Sequence, residues 1–120
     1  NIFCGDFNVA PFEEDVWSHK HLRNVVSHTE IERNTVLKIL KKGNLIDLIR
    51  MEIKPPKNLF TWWSYRSPDY KKNNRGRRLD HIWVTDLKKL KTSYSKILIE
   101  FRDNLKPSDH VPIMSIIEKI

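Results

Sequence analysis

Short apolar runs separated by polar turns follow one another along most of this chain. The run over residues 2–4 is stopped by Gly5 and by the Asp/Asn turn chemistry after it, which indicates the end of a buried strand. Aromatic and β-favouring residues dominate 59–65 and 79–84, so we expect two strands there that pair like a hairpin across a long basic loop. The apolar run 113–117 predicts a closing strand.

The segment 29–43 has the pattern of an α-helix with both ends marked. Thr29 can cap the first turn, and Glu32, three residues on, completes a capping box. Lysines stand at the C-terminal end, where the helix dipole favours cations, and Gly43 can end the helix in a left-handed conformation. The predicted apolar stripe consists of Ile31, Thr35, Leu37 and Leu40.

The remaining segments have weaker patterns. The run 45–51 fits either a short strand or a helical turn, 86–91 fits one helical turn, and 96–101 alternates like a strand. In the polar stretch after the first turn, Trp17 and Leu22 are the expected anchors to the core. Many strands with one firm helix predict an α/β (α+β) fold whose core is dominated by sheets.

Composition narrows the class of protein. The chain has 120 residues, at most one domain, with a formal net charge of +7 and a pI of about 9.6. An anionic partner is favoured, nucleic acid first, although a lysine-rich surface that only keeps the protein in solution has the same composition. Cys4 is the single cysteine, so no intrachain disulfide can form, and its apolar surroundings predict a small buried hydrophobe.

The apolar runs and the start of the chain give further expectations. No signal-peptide pattern and no apolar run of membrane-spanning length is present, so we expect a cytoplasmic protein without a membrane partner. The chain begins at Asn1 and at once enters an apolar stretch, whereas native termini are usually polar. We therefore expect a chain cut inside a strand, with a longer functional unit.

Two turns carry candidate chemistry, and the first is GDFN at residues 5–8. Asp6 and Asn8 are two positions apart, so at a strand end their side chains point the same way and can face one site. A carboxylate binds hard cations or accepts a proton, and an amide donates to a phosphate oxygen. For an isolated motif of this kind, an ordinary Asx turn is the commoner interpretation.

The second turn, SDHVP at 108–112, contains Asp109 and His110. A histidine held by a carboxylate keeps one tautomer, and Asp80, an acid within an apolar strand, is the natural partner for His110. The ordinary alternative places Asp80 on the solvent face of an edge strand. Alternation puts His81 on the opposite face from Asp80, so the two residues cannot serve one site.

The donors in these turns favour one kind of metal and disfavour other chemistry. A single cysteine and scattered histidines lack zinc-ligand spacing, whereas carboxylate and amide oxygens favour Mg²⁺ or Mn²⁺. Asp109 is the natural second metal-binding or basic carboxylate. A serine-hydrolase triad is disfavoured, because adjacent residues of an extended turn point apart and no G-x-S-x-G elbow exists.

An aromatic and basic cluster lies between the two predicted strands. Basic side chains can follow phosphates, and an aromatic side chain can enter a distorted duplex. Strand alternation makes Trp62 and Trp63 face opposite ways, so one of them is expected in the core. The basic residues of the loop 66–78 are Arg66, Lys71, Lys72, Arg75, Arg77 and Arg78.

A series of motifs along the chain resembles the exonuclease III family of apurinic/apyrimidinic (AP) endonucleases. In order, these motifs are GDFNVAP, DVW, TEIER, GNLIDLIR, FTWWSYRS, NRGRRLDHIWV and KPSDHVP. GDFN and SDH-x-P alone mark only the wider endonuclease/exonuclease/phosphatase superfamily, and WWSYR followed by NRGRRLDHI singles out the DNA-repair branch. The resemblance implies a four-layer α/β sandwich of the deoxyribonuclease-like type, with mainly antiparallel or mixed sheets. Residues 1–120 would be the C-terminal part of that single domain.

The resemblance also implies a Mg²⁺- or Mn²⁺-dependent enzyme that cleaves double-stranded DNA 5′ to abasic sites and degrades 3′ ends. Asp6 would activate the attacking water, Asn8 would hydrogen-bond the phosphate, and His110, oriented by Asp80, would contact it. Which carboxylate is the base stays open. The metal would be held by Asp6, Asn8 and Asp109. DNA-binding residues would be Trp62, which would pack against the flipped-out abasic site, with Arg75, Arg77, Arg78 and His110.

This chain lacks the earlier half of the family pattern, which supplies a metal-binding glutamate, an asparagine and a tyrosine. We therefore expect the chain alone to be inactive and prone to aggregate, and the full-length enzyme to be a monomer. Two alternatives stay open: a non-catalytic remnant that only binds DNA, and another phosphoesterase of the same superfamily.

Overall fold

The residues that the structure describes form two antiparallel sheets and four short to medium helices. The computed structural model describes residues 1–67 and 69–120. The helices are α1 (His19–Leu22), α2 (Glu30–Lys42), α3 (Leu48–Glu52) and α4 (Tyr70–Asn73), and the strands are β1 (Ile2–Asp6), β2 (Ile46–Asp47), β3 (Asp80–Val84), β4 (Leu90–Ile97) and β5 (Ile113–Lys119). Single 3₁₀ turns cover Glu13–Asp15 and Ile99–Asp103.

The first sheet holds the predicted strand at the start of the chain. Its order is β1-β3-β2, with β3 in the centre and both neighbours antiparallel to it. The predicted β1 is confirmed and extends to Asp6, which pairs with Asp80 across the sheet. The run 45–51, which fitted two elements, forms both: a two-residue strand followed directly by α3.

The second sheet is a two-stranded ribbon of β4 and β5, and it contains the predicted closing strand. Two sequence predictions beside it are wrong. Residues 96–101 leave the strand after Ile97 and turn into a 3₁₀ helix, and 86–91 form a turn that enters β4 at Leu90. Alternation over six residues did not distinguish a strand from a strand end followed by a tight turn.

The predicted helix is confirmed as α2, but the predicted left-handed conformation of Gly43 is wrong, because Gly43 ends the helix with a right-handed φ of −79°. Thr29 Oγ1 accepts a hydrogen bond from the Glu32 backbone N–H, and the Glu32 carboxylate accepts one from Thr29 N–H, as a capping box requires. The predicted apolar stripe was only partly right. Leu40 is buried with Val36, whereas Ile31 is 80% exposed and Leu37 37% exposed.

The predicted strand 59–65 is not a regular strand, so the expected hairpin with 79–84 does not form. Trp62 makes isolated bridges to Arg77 on one side and to His110 on the other. The preceding residue, Thr61, also bonds to both sides, because Thr61 O accepts from Val111 N–H and Thr61 N–H donates to Arg77 O. This segment joins two loops, and β3 takes β1 and β2 as partners instead.

Buried side chains form several small clusters around these elements. Leu48 and Ile49 of α3 pack with Val84 of β3 in one group, and Phe60, Trp63 and Val111 form a second group. Leu22 is buried with Trp17 packed against its cluster, as predicted. Cys4 is exposed, contrary to the prediction, as are all five residues of β1, which is an edge strand paired with β3 alone among the described residues.

Pro68, within the predicted basic loop, lies outside the described residues. Among the helices of the described residues, none combines the length and the apolar character that a membrane crossing demands.

Candidate active site

The site begins where β1 and β3 lie side by side. Asp6 ends β1, Asp80 begins β3, and the two residues are Cα partners in the antiparallel register. Side chains of directly opposed residues lie on the same face of a sheet, so the two carboxylates face one volume. The predicted convergence of these two acids is therefore present.

His110 completes this group from the far end of the chain. Its Nδ1 lies 2.8 Å from Asp80 Oδ2, and its Nε2 lies 3.7 Å from Asp6 Oδ2. A carboxylate only accepts hydrogen bonds, so Nδ1 carries the proton of the short contact and Nε2 is the ring atom that faces Asp6. The side chains of Asp80 and His110 are 15% and 28% exposed, which leaves the group open to a ligand.

The turn after β1 holds Asp6 in place. Asn8 adopts a left-handed backbone conformation with φ of 54°, which asparagine tolerates better than most residues. Its backbone N–H donates to Asp6 Oδ1 at 2.8 Å, and Phe7 N–H donates to Leu79 O next to β3. The Asx-turn interpretation and the catalytic interpretation of this motif are thus compatible.

The turn that carries His110 is tied to the tryptophan segment. Ser108 Oγ accepts from His110 N–H, and Asp109 O accepts from Trp63 N–H. Trp62 Nε1–H donates to Asp109 Oδ2 at 2.9 Å. Trp63 is 1% exposed and Trp62 is partly exposed, so the prediction that only one of them lies in the core is confirmed.

Thr61 organises the site and was missed by sequence reasoning. It is fully buried, and its Oγ1 accepts from the backbone N–H groups of both Leu79 and Asp80. Its own carbonyl accepts from Val111 N–H, directly after His110. One threonine therefore connects the strand of the orienting acid to the turn of the histidine, and a lone threonine in an aromatic run gives no signal of this role.

A hard divalent cation fits part of this arrangement. Ligand atoms of Asp6, Asp80 and His110 all lie within 4.8 Å of one another, and this is the metal-competent group of His, Cys, Asp and Glu in the described residues. Oxygen donors suit Mg²⁺ and Mn²⁺. Asp109, predicted as a ligand, has one carboxylate oxygen bonded to Trp62 and stands outside that group. Its metal role, like that of Asn8, stays a prediction.

The predicted DNA-binding arginines differ in their placement. Arg77 lies over the Trp62 ring at 5.2 Å, and Arg75 lies over the Trp17 ring at 4.8 Å. Burial lowers the pKa of Arg77, whose Nη1 donates to Val26 O and Ser27 Oγ. A cavity of about 350 Å³ opens beside them and is lined by Trp17, Trp62, Ser64, Arg66, Ser67, Asn73, Arg75 and Arg77.

The prediction that Arg78 binds DNA has to be corrected, because the structure places Arg78 in the interior and not on an exposed surface. It is 1% exposed and forms ion pairs with Asp15 at 2.8 Å and with Asp47 at 2.7 Å. Arg50 pairs with the same Asp15 carboxylate. Burial opposes the charge of Arg78, but its two acidic partners outweigh burial and raise its pKa. This network joins the first 3₁₀ turn, β2, α3 and the segment just before β3.

With the fold and the site in place, comparison with known proteins gives the family. The endonuclease/exonuclease/phosphatase family matches residues 1–110. The chain therefore belongs to this family.

Relatives within the family are DNA-acting enzymes by name. The exodeoxyribonuclease of Bacillus subtilis is 31% identical over 97% of this chain and 44% of its own length. The DNA-(apurinic or apyrimidinic site) endonuclease of Dictyostelium discoideum is 34% identical over 98% of this chain and 31% of its own length. The chain thus spans less than half the length of these relatives.

Solved structures agree with the fold. An AP endonuclease from Archaeoglobus fulgidus superposes with a TM-score of 0.86 at 33% identity, over 96% of this chain and 44% of that one. A 3′ phosphatase from Neisseria bound to a product DNA hairpin gives a TM-score of 0.85 at 28% identity, over 98% and 44%. The α/β fold with antiparallel sheets matches the C-terminal half of this architecture, as predicted.

Proposed function

We propose that this chain carries the C-terminal part of a metal-dependent DNA-repair phosphodiesterase, which cleaves double-stranded DNA 5′ to abasic sites and degrades 3′ ends. The observation that carries the proposal is the convergence of Asp6, Asp80 and His110 from three distant parts of the chain, with contacts of 2.8 and 3.7 Å. The names of the relatives support DNA as the substrate. Activity would require the half of the domain that these relatives have in addition.

The side chains divide the chemistry of phosphodiester hydrolysis among them. Attack by water needs an acceptor for a proton and donors for the charge that builds on the phosphate. Asp6 Oδ2, on the side of His110, would accept the proton, since Oδ1 already accepts from Asn8 N–H. The Asn8 side-chain amide would donate to a phosphate oxygen, and a good donor of this kind contributes about 3–4 kcal/mol. His110, oriented by Asp80 through Nδ1, would contact the phosphate with the Nε2 side of its ring.

Asp6, Asn8 and Asp109 would hold a Mg²⁺ or Mn²⁺ ion, together with a glutamate from the other half of the domain. When bound, the cation would neutralise charge on the phosphate oxygens. The donor chemistry supports this role, because Asp6 belongs to the metal-competent group and carboxylate and amide oxygens are hard ligands.

The surface beside the site suits a nucleic acid. Arg75 and Arg77 stack on tryptophans that line the same cavity. Trp62 also donates to Asp109, in the turn that carries His110. Guanidinium groups bind phosphates, and an indole packs against an unpaired position in a duplex. An abasic nucleotide is easily extruded from the helix because it has no base pair to break.

The test is cleavage of a duplex with one abasic site by the complete product of the gene, with Mg²⁺, Mn²⁺ or EDTA. Asp6→Asn and His110→Asn should each lower kcat by about 10²–10³-fold. Asp86→Asn is the matched control, because Asp86 is an exposed acid beyond the opposite end of β3 from Asp80 and should leave kcat unchanged.

Other results identify the alternatives. Turnover of an inositol polyphosphate or of sphingomyelin, with none of DNA, would show another phosphoesterase. Binding of the abasic duplex without cleavage, unaffected by Asp6→Asn, would show a non-catalytic remnant.

A further inference from the structure

Two buried imidazoles hold consecutive carbonyl groups of the turn that carries Asp6 and Asn8. His81 Nε2 lies 2.8 Å from Val9 O, and His28 Nδ1 lies 2.7 Å from Ala10 O. Both histidines have 0% exposure. The two residues come from different elements, since His81 lies in β3 and His28 immediately precedes the N-cap of α2.

The chemistry of the partners fixes which ring atoms carry protons. A carbonyl oxygen only accepts, so His81 donates through Nε2–H and His28 donates through Nδ1–H. The other nitrogen of His28 faces His19 Nδ1 at 2.8 Å and accepts from it. Within residues 1–67 and 69–120, His81 Nδ1 has no hydrogen-bond partner. The histidine rings therefore act as neutral donors with one defined tautomer each.

This arrangement is costly if its only purpose is to fill the core. A buried polar group without a full set of partners destabilises a fold, and an apolar side chain of similar size would avoid that cost. What the histidines add is a fixed position for Val9 O and Ala10 O. Asn8, one residue earlier, is in the left-handed conformation and donates its backbone N–H to Asp6 Oδ1.

We propose that His28 and His81 are positioning residues, which clamp the turn after β1 so that Asp6 and Asn8 face His110 in the productive geometry. β3 would then serve the site from both faces, with Asp80 orienting His110 on one and His81 holding the turn on the other. The proposal rests on the proposed function for its kinetic consequence, but its geometry can be tested without activity.

The side-chain amides of glutamine and asparagine offer matched variants. A glutamine amide nitrogen reaches about as far as the Nε2 of histidine, and an asparagine nitrogen about as far as Nδ1. His81→Gln and His28→Asn therefore keep a donor in place, and we call them the matched variants. His81→Asn and His28→Gln, the mismatched variants, bury the same amide group at a distance from the backbone that does not match the carbonyl. In the complete gene product, the mismatched variants should lower kcat on an abasic duplex by about 10–100-fold with KM unchanged. The matched variants should restore most of the loss.

A second readout does not depend on catalysis. The backbone N–H of Asn8 should exchange its hydrogen with solvent faster in His81→Asn and His28→Gln than in the matched variants, because its hydrogen bond to Asp6 Oδ1 depends on the clamped turn. Equal exchange in matched and mismatched variants would overturn the clamp. The clamp would also be overturned if the kcat values of the four variants followed only their free energies of unfolding and did not depend on whether the amide donor was matched. If the unmodified protein cleaves no DNA, the proposed function fails, and the exchange rates still decide the clamp.

Discussion

Asp80 and His110 are joined by a 2.8 Å hydrogen bond, although 30 residues separate them in the chain. Asp80 is held by the buried Thr61 through its backbone N–H, and the residue after His110 is held by the carbonyl of the same threonine. The relative position of acid and imidazole is therefore set by the backbone, and not by the flexibility of two surface side chains.

Asp80→Asn should lower kcat/KM on an abasic duplex by about 10–100-fold, because an amide orients His110 less well and removes the negative charge beside its ring. If the two residues act as a unit, the double variant Asp80→Asn/His110→Asn should be no slower than His110→Asn alone. Steady-state kinetics of the three variants checks this, and losses that multiply would contradict the coupling.

Features specified by nearby residues could be predicted from the sequence, and features that depend on distant partners could not. The capping box of α2 and the turn after β1 are encoded within a few residues, so their patterns were sufficient. The partner of β3 is chosen by packing across the whole chain, and the aromatic content of 59–65 predicted a neighbour that β3 does not have. Resemblance to a family, and not local pattern, brought Asp6 and His110 together.

The basic loop shows the same limit for single residues. Arg75 and Arg78 are three positions apart in one basic run, yet Arg75 is exposed and lies over the Trp17 ring, whereas Arg78 is buried between two aspartates. The partners of Arg78 lie 63 and 31 residues away in the chain, so its composition alone gives no sign of them.

Arg78→Met should lower the free energy of unfolding by about 3–5 kcal/mol, because it removes the ion-pair partner of the buried Asp47 and leaves Arg50 as the remaining partner of Asp15. Chemical denaturation of the complete gene product measures this. Arg23→Met, at an exposed position after α1, is the control and should change the value by less than about 0.5 kcal/mol. An equally small effect of Arg78→Met would show that the network is not stabilising.

Arg75→Met should weaken DNA binding with little loss of stability, since the Arg75 side chain is exposed and its guanidinium lies over the Trp17 ring. Removing one phosphate contact should make the slope of log K against log salt less negative by about 0.9. Fluorescence anisotropy with a short duplex at several salt concentrations measures the slope. Lys89→Met, beyond the far end of β3, should leave the slope unchanged, and equal slopes for both variants would exclude a phosphate contact at Arg75.

Residues 1–120 alone should self-associate through β1. Ile2 and Phe3 are 52% and 46% exposed, and within the described part of the chain β1 pairs with β3 along one edge and leaves its other edge open. An exposed strand with apolar side chains offers backbone groups and apolar surface to another chain. Sedimentation velocity should show oligomers that decrease in Ile2→Thr/Phe3→Thr, but not in Leu105→Thr, an isolated apolar side chain that is 98% exposed. A stable monomer at high concentration would contradict this.

Acidification should destabilise the protein through its two buried clamp histidines. Burial lowers the pKa of His28 below 6.5, and burial together with the charge of Arg78 lowers the pKa of His81. The unfolded chain then binds more protons than the folded one in the interval below pH 6.5, so the free energy of unfolding falls as pH decreases through it. The stability associated with the neutral rings is fully present above pH 6.5 and is lost as pH approaches their folded values.

Denaturation of the complete gene product at pH 7.5, 6.5 and 5.5 measures this slope. The double variant His28→Asn/His81→Gln keeps both donors but cannot titrate, so its stability should depend less on pH than that of the unmodified protein. Asp15 does not obscure the comparison. Burial opposes its ionisation, but Arg78 and Arg50 outweigh burial and hold the pKa of Asp15 below 3.8, so its contribution changes at more acidic pH. Parallel curves for variant and unmodified protein would show that the histidines are not the groups that titrate.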